Sequence, residues 1–145
     1  MAGGKLRILL VDNNKDDRFL LTQALADAGV DCEIDEASDG EEAENYLLRK
    51  MSDGELPHLV ILDLLLPRLS GRDLMEKFFV TCPGKLPRVI LLTSILPDGE
   101  TMHLREMGAW RVFEKPIDLA GFLALGKFVK EHSAAEEDLS AAQAG

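Results

Sequence analysis

The sequence predicts an α/β protein built on a doubly wound parallel sheet of five strands, with helices on both faces. Two observations carry that expectation. Short aliphatic runs without polar alternation, such as Leu59-Val60-Ile61-Leu62 and Val89-Ile90-Leu91-Leu92, read as strands covered on both sides. Between such runs lie segments with apolar residues at helical spacing, and every parallel crossover needs a helix of this kind.

Leu6 to Val11 is the first strand. Phe19, Leu20, Ala24, Leu25 and Ala28 then mark the apolar positions of a helix that stops at Gly29. Val30 to Ala37 forms a second, more polar strand. Asp39 precedes Glu42 by three, a capping-box start for a helix to about Lys50, and Met51 to Pro57 is a polar loop. His58 to Asp63 is the third strand, and Ser70 with Asp73 opens a helix to about Val80. Pro83, Gly84 and Pro87 break the chain before the fourth strand, Arg88 to Thr93. Asp98 caps a fourth helix ending at Gly108, and Trp110 to Glu114 is the fifth strand. Asp118 starts a last helix with Leu119, Phe122, Leu123, Leu125, Phe128 and Val129 as its apolar positions. Residues 1–132 are therefore expected to form one domain. Residues 133–145, rich in Ala and Glu, are expected to be a frayed helix end or a disordered tail.

Composition narrows the function. The 145 residues suit one domain, and 46% hydrophobic with 29% charged residues is a globular balance. The net charge of −10 would repel a phosphate backbone, so nucleic acid is not an expected direct partner. No run approaches the ~20 apolar residues of a membrane helix, and no signal-peptide segment precedes Leu6, so a cytoplasmic location is expected. No second domain follows, hence no DNA-binding output module is expected in this chain. Cys32 and Cys82 are too few and too far apart for a disulfide scaffold or zinc site. His58, His103 and His132 show no ligand spacing and read as surface residues.

In an open parallel sheet, sites form beyond the C-terminal ends of the strands. Asp12, Asp63, Thr93 and Lys115 stand at four such ends, so two carboxylates, a hydroxyl and an amine converge on one edge. The surrounding motifs are Ile8-Leu9-Leu10-Val11-Asp12-Asn13-Asn14, Leu62-Asp63 through Gly71, Leu91-Leu92-Thr93-Ser94 and Phe113-Glu114-Lys115-Pro116. These resemble the CheY-like response regulator receiver family from about Lys5 to His132. Within it, they look most like small stand-alone regulators, including those that partner bacterial phytochromes.

The resemblance implies a flavodoxin-like strand order 2-1-3-4-5 and a role for each residue. Asp63 would be the phosphoacceptor, attacking a phosphohistidine of a histidine kinase. Mg²⁺ would be held by Asp12, Asp63, the residue at position 13 and the backbone carbonyl of Leu65. Lys115 would pair with the phosphoryl oxygens, with Pro116 keeping the preceding peptide cis. Thr93 would turn toward the phosphoryl group and pull the loop beginning at Ser94. A downstream protein target, and a homodimer through the face of helix four, strand five and helix five, are the implied partners.

Two positions depart from the family pattern. Asn13 stands where a second acid is usual, so weaker metal binding and slower phosphotransfer are expected. Val112 stands where an aromatic switch residue is common, with Trp110 and Phe113 out of register. Two readings therefore stay open. One is a receiver phosphorylated on Asp63 that signals through protein contacts. The other is a pseudo-receiver that binds partners with an impaired site. Neither is a turnover enzyme. A phosphohydrolase would need an acid two residues after Asp63, where Leu65 stands.

Overall fold

The computed structural model describes residues 5–80, 86–94 and 100–144, and the side chains of these except 79–80, 100–102 and 133–144. Five strands, β1 (Leu6–Val11), β2 (Cys32–Ala37), β3 (Leu59–Asp63), β4 (Arg88–Thr93) and β5 (Arg111–Glu114), form one sheet in the order β2-β1-β3-β4-β5. All four pairings are parallel, in register Leu10 to Glu36, Leu10 to Ile61, Ile61 to Ile90 and Leu91 to Val112. This is the expected flavodoxin-like order. The helices are α1 (Lys15–Asp27), α2 (Gly40–Asp53), α3 (Gly71–Leu74) continued by a π-helical stretch (Met75–Val80), α4 (Glu100–Glu106) and α5 (Leu119–Ala144). None of the described helices is long and apolar enough to cross a membrane.

The chain divides into two compact units, Met1–Arg18 with Cys32–Lys115, and Phe19–Asp31 with Pro116–Gly145. The first contains all five strands. Its core runs along one sheet face, where Leu9, Val11, Val60, Leu62, Val89 and Leu91 meet Ala43 and Leu47 of α2, Leu74, Met75 and Phe78, and Leu104 and Met107. Alternate residues Ile8, Leu10, Ile61 and Ile90 are equally buried, which is why these strands lack polar alternation. In the second unit α5 crosses the end of α1 closely. A Cβ at Gly126 would lie 2.5 Å from the Ala24 carbonyl oxygen, and Lys130 donates to the Gly29 carbonyl at 3.0 Å.

Local signals account for the helix ends. The Asp39 carboxylate accepts from the Glu42 amide at 2.8 Å, and Glu42 accepts in return from the Ser38 amide at 2.6 Å. Ser70 accepts from the Asp73 amide at 3.1 Å, and Asp118 from the Gly121 amide at 2.9 Å. The helix α2 continues past Lys50 to Asp53 because its left-handed stop is Gly54, at φ 73°, inside the segment expected as loop. Strands β2, β3 and β5 begin one or two residues later than expected. The helix α5 runs to Ala144, through the Ala- and Glu-rich stretch set apart as a tail. The expected cap Asp98, the breaks at Pro83 and Gly84, and Cys82 lie outside the described residues.

Phe19 corrects the sequence reading. Expected on the apolar stripe of α1, it is 62% exposed, while Leu21, Ala24 and Leu25 are buried. Positions two apart on a helix do not share a face, so a stripe centred on Leu21 and Leu25 turns Phe19 outward. His58 and His103 are exposed as expected, whereas His132 is half-buried and stacks on Phe128 with ring centroids 4.0 Å apart.

Tyr46 on α2 donates its phenol to Asp35 of β2 at 2.6 Å. Burial and that carboxylate together push its ionisation well above 10. The stabilising contribution of this phenol is thus fully present below pH 10, and it is lost as pH rises through the higher folded value. As the only tyrosine, Tyr46 can be followed by its phenolate absorbance. The native protein is expected to titrate well above 10, falling to about 10 in urea. A native midpoint near 10 would contradict the bond to Asp35. Substituting fully buried Leu47 by Ala is expected to cost about 2–5 kcal/mol in urea denaturation. Phe19→Ser is expected to change stability by less than about 0.5 kcal/mol.

Candidate functional site

The parallel register brings the C-terminal ends of β1, β3, β4 and β5 to one edge of the sheet. Asp12, Asp63 and Thr93 are buried there, the buried polar side chains among the described residues, and Lys115 follows the last residue of β5. Thr93 pairs with Glu114 across the β4–β5 ladder, and its carbonyl accepts from the Lys115 amide at 2.7 Å. The ladder therefore fixes the backbone of Lys115 beside Thr93.

The Lys115 ammonium is the centre of the site. Its Nζ lies 2.8 Å from Asp12 Oδ2, 2.8 Å from Asp63 Oδ2 and 2.9 Å from Asp17 Oδ2. The second oxygen of Asp12 accepts from the Asn14 amide at 2.8 Å, and that of Asp63 from the Leu65 amide at 3.0 Å. Burial alone would depress the lysine's pKa. Hydrogen bonds to Asp12, Asp63 and Asp17 outweigh it and hold the ammonium well above its usual range, so it stays charged. Burial raises the Asp12 carboxyl above its usual value, against the opposing pull of Lys115 and the Asn14 amide.

Asp17 was not singled out from the sequence. An acid in the first turn of a helix ordinarily reads as a complement to the helix dipole. Its direction is set by the cap of α1, where Asn14 Oδ1 accepts from the Asp17 amide at 3.1 Å. The next residue, Arg18, donates to the Asp12 carbonyl at 2.5 Å and pairs with Glu36 at 2.6 Å, bracing the end of β1. The phase of the cap relative to Asp12 was the available signal.

The loop after β3 is closed by short backbone contacts. Leu64 donates to the Leu92 carbonyl at 3.0 Å, and its own carbonyl accepts from the Gly71 amide at 3.1 Å. A Cβ at Gly71 would lie 2.7 Å from the Asp63 carbonyl oxygen and 2.8 Å from Leu64 Cα, so no other residue fits without moving that backbone. Arg68 within the loop is left-handed at φ 69°, a conformation costing a non-glycine residue about 1–2 kcal/mol. Its guanidinium lies 3.7 Å from both Asp39 and Glu41 at the start of α2.

An open cleft of about 570 Å³ lies over these groups, lined by Asn13, Asn14, Lys15, Asp16, Asp63, Leu65, Ser94 and Lys115. Asn13 and Leu65 are both exposed at its rim, so the structure brings every expected site residue to this edge. One expectation fails. The peptide before Pro116 is trans. The trans form is the ordinary preference of such bonds, and three carboxylates rather than an isomer direct the lysine. Val112, where an aromatic was expected by family pattern, is half-buried against the core.

With this geometry in place, comparison with known proteins identifies the class. The response regulator receiver domain model matches residues 8–125, and the chain belongs to that family. The phosphorylated cyanobacterial phytochrome response regulator RcpA is similar at TM-score 0.76 and 26% identity, covering 88% of this chain and 93% of that one. The Mn²⁺-bound response regulator Rcp1 shares the fold at TM-score 0.70 and 23% identity, over 86% of this chain and 91% of that one. A protein-glutamate methylesterase/protein-glutamine glutaminase of Rhodopseudomonas palustris is 30% identical over 118 residues, 80% of this chain and 30% of that protein. This chain spans 30 to 43% of the length of three curated relatives that it matches.

Lys115→Ala would leave the three carboxylates facing one another without this cation, removing the larger of the two pulls that oppose the rise in the Asp12 pKa. Asp12 is then expected to titrate at higher pH than in wild type, read by carboxyl carbon NMR. Because a raised carboxyl pKa makes the folded state bind more protons, the variant should gain stability as pH falls from 7 through that value. An unchanged Asp12 midpoint would show that the ammonium does not neutralise it.

Proposed function

We propose that this chain is the receiver of a two-component response regulator, accepting a phosphoryl group on Asp63 from a histidine kinase and signalling through protein contacts. The observation that carries it is Asp63 itself. It is a buried carboxylate at the end of β3, lining an open cleft and paired at 2.8 Å with a lysine that stays charged. Similarity to RcpA supports a phytochrome-type sensor kinase as the donor.

In the transfer, an Asp63 oxygen forms a bond to phosphorus while the bond from phosphorus to the kinase histidine nitrogen breaks. The bonding pair stays on the imidazole, which takes up a proton. Asp63 becomes an acyl phosphate, one event per chain rather than a turnover. Lys115 sits where it can follow charge from the carboxylate onto the phosphoryl oxygens, so the residues mainly position and neutralise. Thr93, buried beside Lys115, would hydrogen-bond the new phosphoryl oxygen and draw Ser94 with it.

The oxygen donors at this edge fit a divalent cation such as Mg²⁺. Among the described residues no group of three or more His, Cys, Asp or Glu side chains is arranged to hold a metal alone. Asp12 and Asp63 would therefore hold it with the Asn13 amide oxygen, the Leu65 carbonyl and water, a donor set that Mg²⁺ accepts. When bound, the cation would offset negative charge on the transferring phosphoryl group.

Intact-mass spectrometry after incubation with Mg²⁺ and acetyl phosphate tests this reading. One metal-dependent phosphoryl adduct is expected, absent from Asp63→Asn. No adduct in wild type, together with an adduct in Asn13→Asp, would instead favour a pseudo-receiver, the reading that Asn13 itself supports. Exposed Ile117, just before the last helix, and exposed Leu119, its first residue, favour a homodimer as one partner state. Light scattering that gave a monomer at high concentration, with and without beryllofluoride, would exclude it.

A further inference from the structure

We propose that Asp17 supplies the negative charge missing at Asn13, acting as the positioning residue that keeps Lys115 beside the site while a divalent cation engages Asp12 and Asp63. The inference rests on the phosphoacceptor reading above and assigns a role to a residue outside the expected set.

Three observations carry it. Asp17 Oδ2 is 2.9 Å from Lys115 Nζ, the same nitrogen that Asp12 and Asp63 each approach at 2.8 Å. All three oxygens therefore lie within hydrogen-bond reach of one point, where a positive charge already sits. Asn13, by contrast, is exposed at the rim and brings no charge. Asp17 is also held in place, since Asn14 caps its amide at 3.1 Å and the next residue, Arg18, donates to the Asp12 carbonyl at the end of β1.

The charge balance follows directly. With Lys15 and Asp16 at the cleft offsetting each other, Asp12, Asp17 and Asp63 against Lys115 leave two negative charges for an incoming cation, whereas without Asp17 only one would remain. When the cation draws Asp12 and Asp63 toward itself, Lys115 loses partners and is repelled by the new positive charge. Asp17, on a different element, remains to hold the ammonium within reach of phosphoryl oxygens. A unit charge a few ångströms from a divalent ion changes its affinity on the order of tenfold even with water-like screening.

The test is a Mn²⁺ titration followed by electron paramagnetic resonance on wild type, Asp17→Asn, Asn13→Asp and the double variant, with acetyl phosphate labelling in parallel. Asp17→Asn is expected to weaken Mn²⁺ binding about tenfold, and adding Asn13→Asp is expected to restore it. An Asp17→Asn protein that melts earlier yet binds Mn²⁺ as wild type does would show Asp17 to be a helix-dipole residue only, and would overturn the proposal. So would a double variant that stays weak, or a wild type that binds no Mn²⁺. The two readings separate cleanly. Unchanged affinity with normal labelling of Asp63 sinks this inference alone, whereas tenfold weakening without labelling of wild type sustains it and sinks the phosphoacceptor reading.

Discussion

Lys115 brings one positive charge to a point where carboxylates from three places in the chain meet, and the rest of the site is arranged around that balance. Asp12 and Asp63 are buried, where an isolated carboxylate would be costly. They are tolerated because each gives one oxygen to the ammonium and the other to a backbone amide. The lysine in turn stays charged because these partners outweigh its own burial. Removing either side would leave the other as uncompensated buried charge, at a cost in stability.

The sheet makes the balance possible. Parallel strands in register present their ends together, and the β4–β5 ladder carries the Lys115 amide to the Thr93 carbonyl. Strands buried on both faces let little water reach the carboxylates from below, and the cleft above opens Asp63 and Lys115 to solvent. Helix caps then set the remaining details. Asn14 aims α1, and Asp39 and Ser70 start the helices that follow β2 and β3.

What was legible in the sequence follows from this division. Strand ends are readable because aliphatic runs stop abruptly, so Asp12, Asp63, Thr93 and Lys115 were found together, and parallel pairing did the rest. Helical phase was harder. Phe19 looked apolar enough for a core and Asp17 looked like an ordinary first-turn acid, because both depend on the angle at which α1 leaves its cap. Arg68 at φ 69° carries no glycine to announce it, and Pro116 suggested an isomer that the lysine's partners make unnecessary. The π-helical stretch after α3 likewise has no clear local signature in Met75–Val80. Where geometry is set by backbone pairing the residues disclose it; where it is set by rotation of a helix or loop they do so only partly.

The missing side chain at Gly71 has a consequence of its own. The loop after β3 closes with the Gly71 amide on the Leu64 carbonyl, and there is no room for even one further carbon between Gly71 and the Asp63 carbonyl. The loop is in effect a fastened ring whose circumference is fixed by an absent atom. Any drift at position 71 during evolution would be felt at the Asp63 backbone without altering a charged group. Two relatives could then carry identical acids and lysine yet differ in how tightly the aspartate at the end of β3 is gripped, a source of divergence that inspection of the charged residues alone would never reveal.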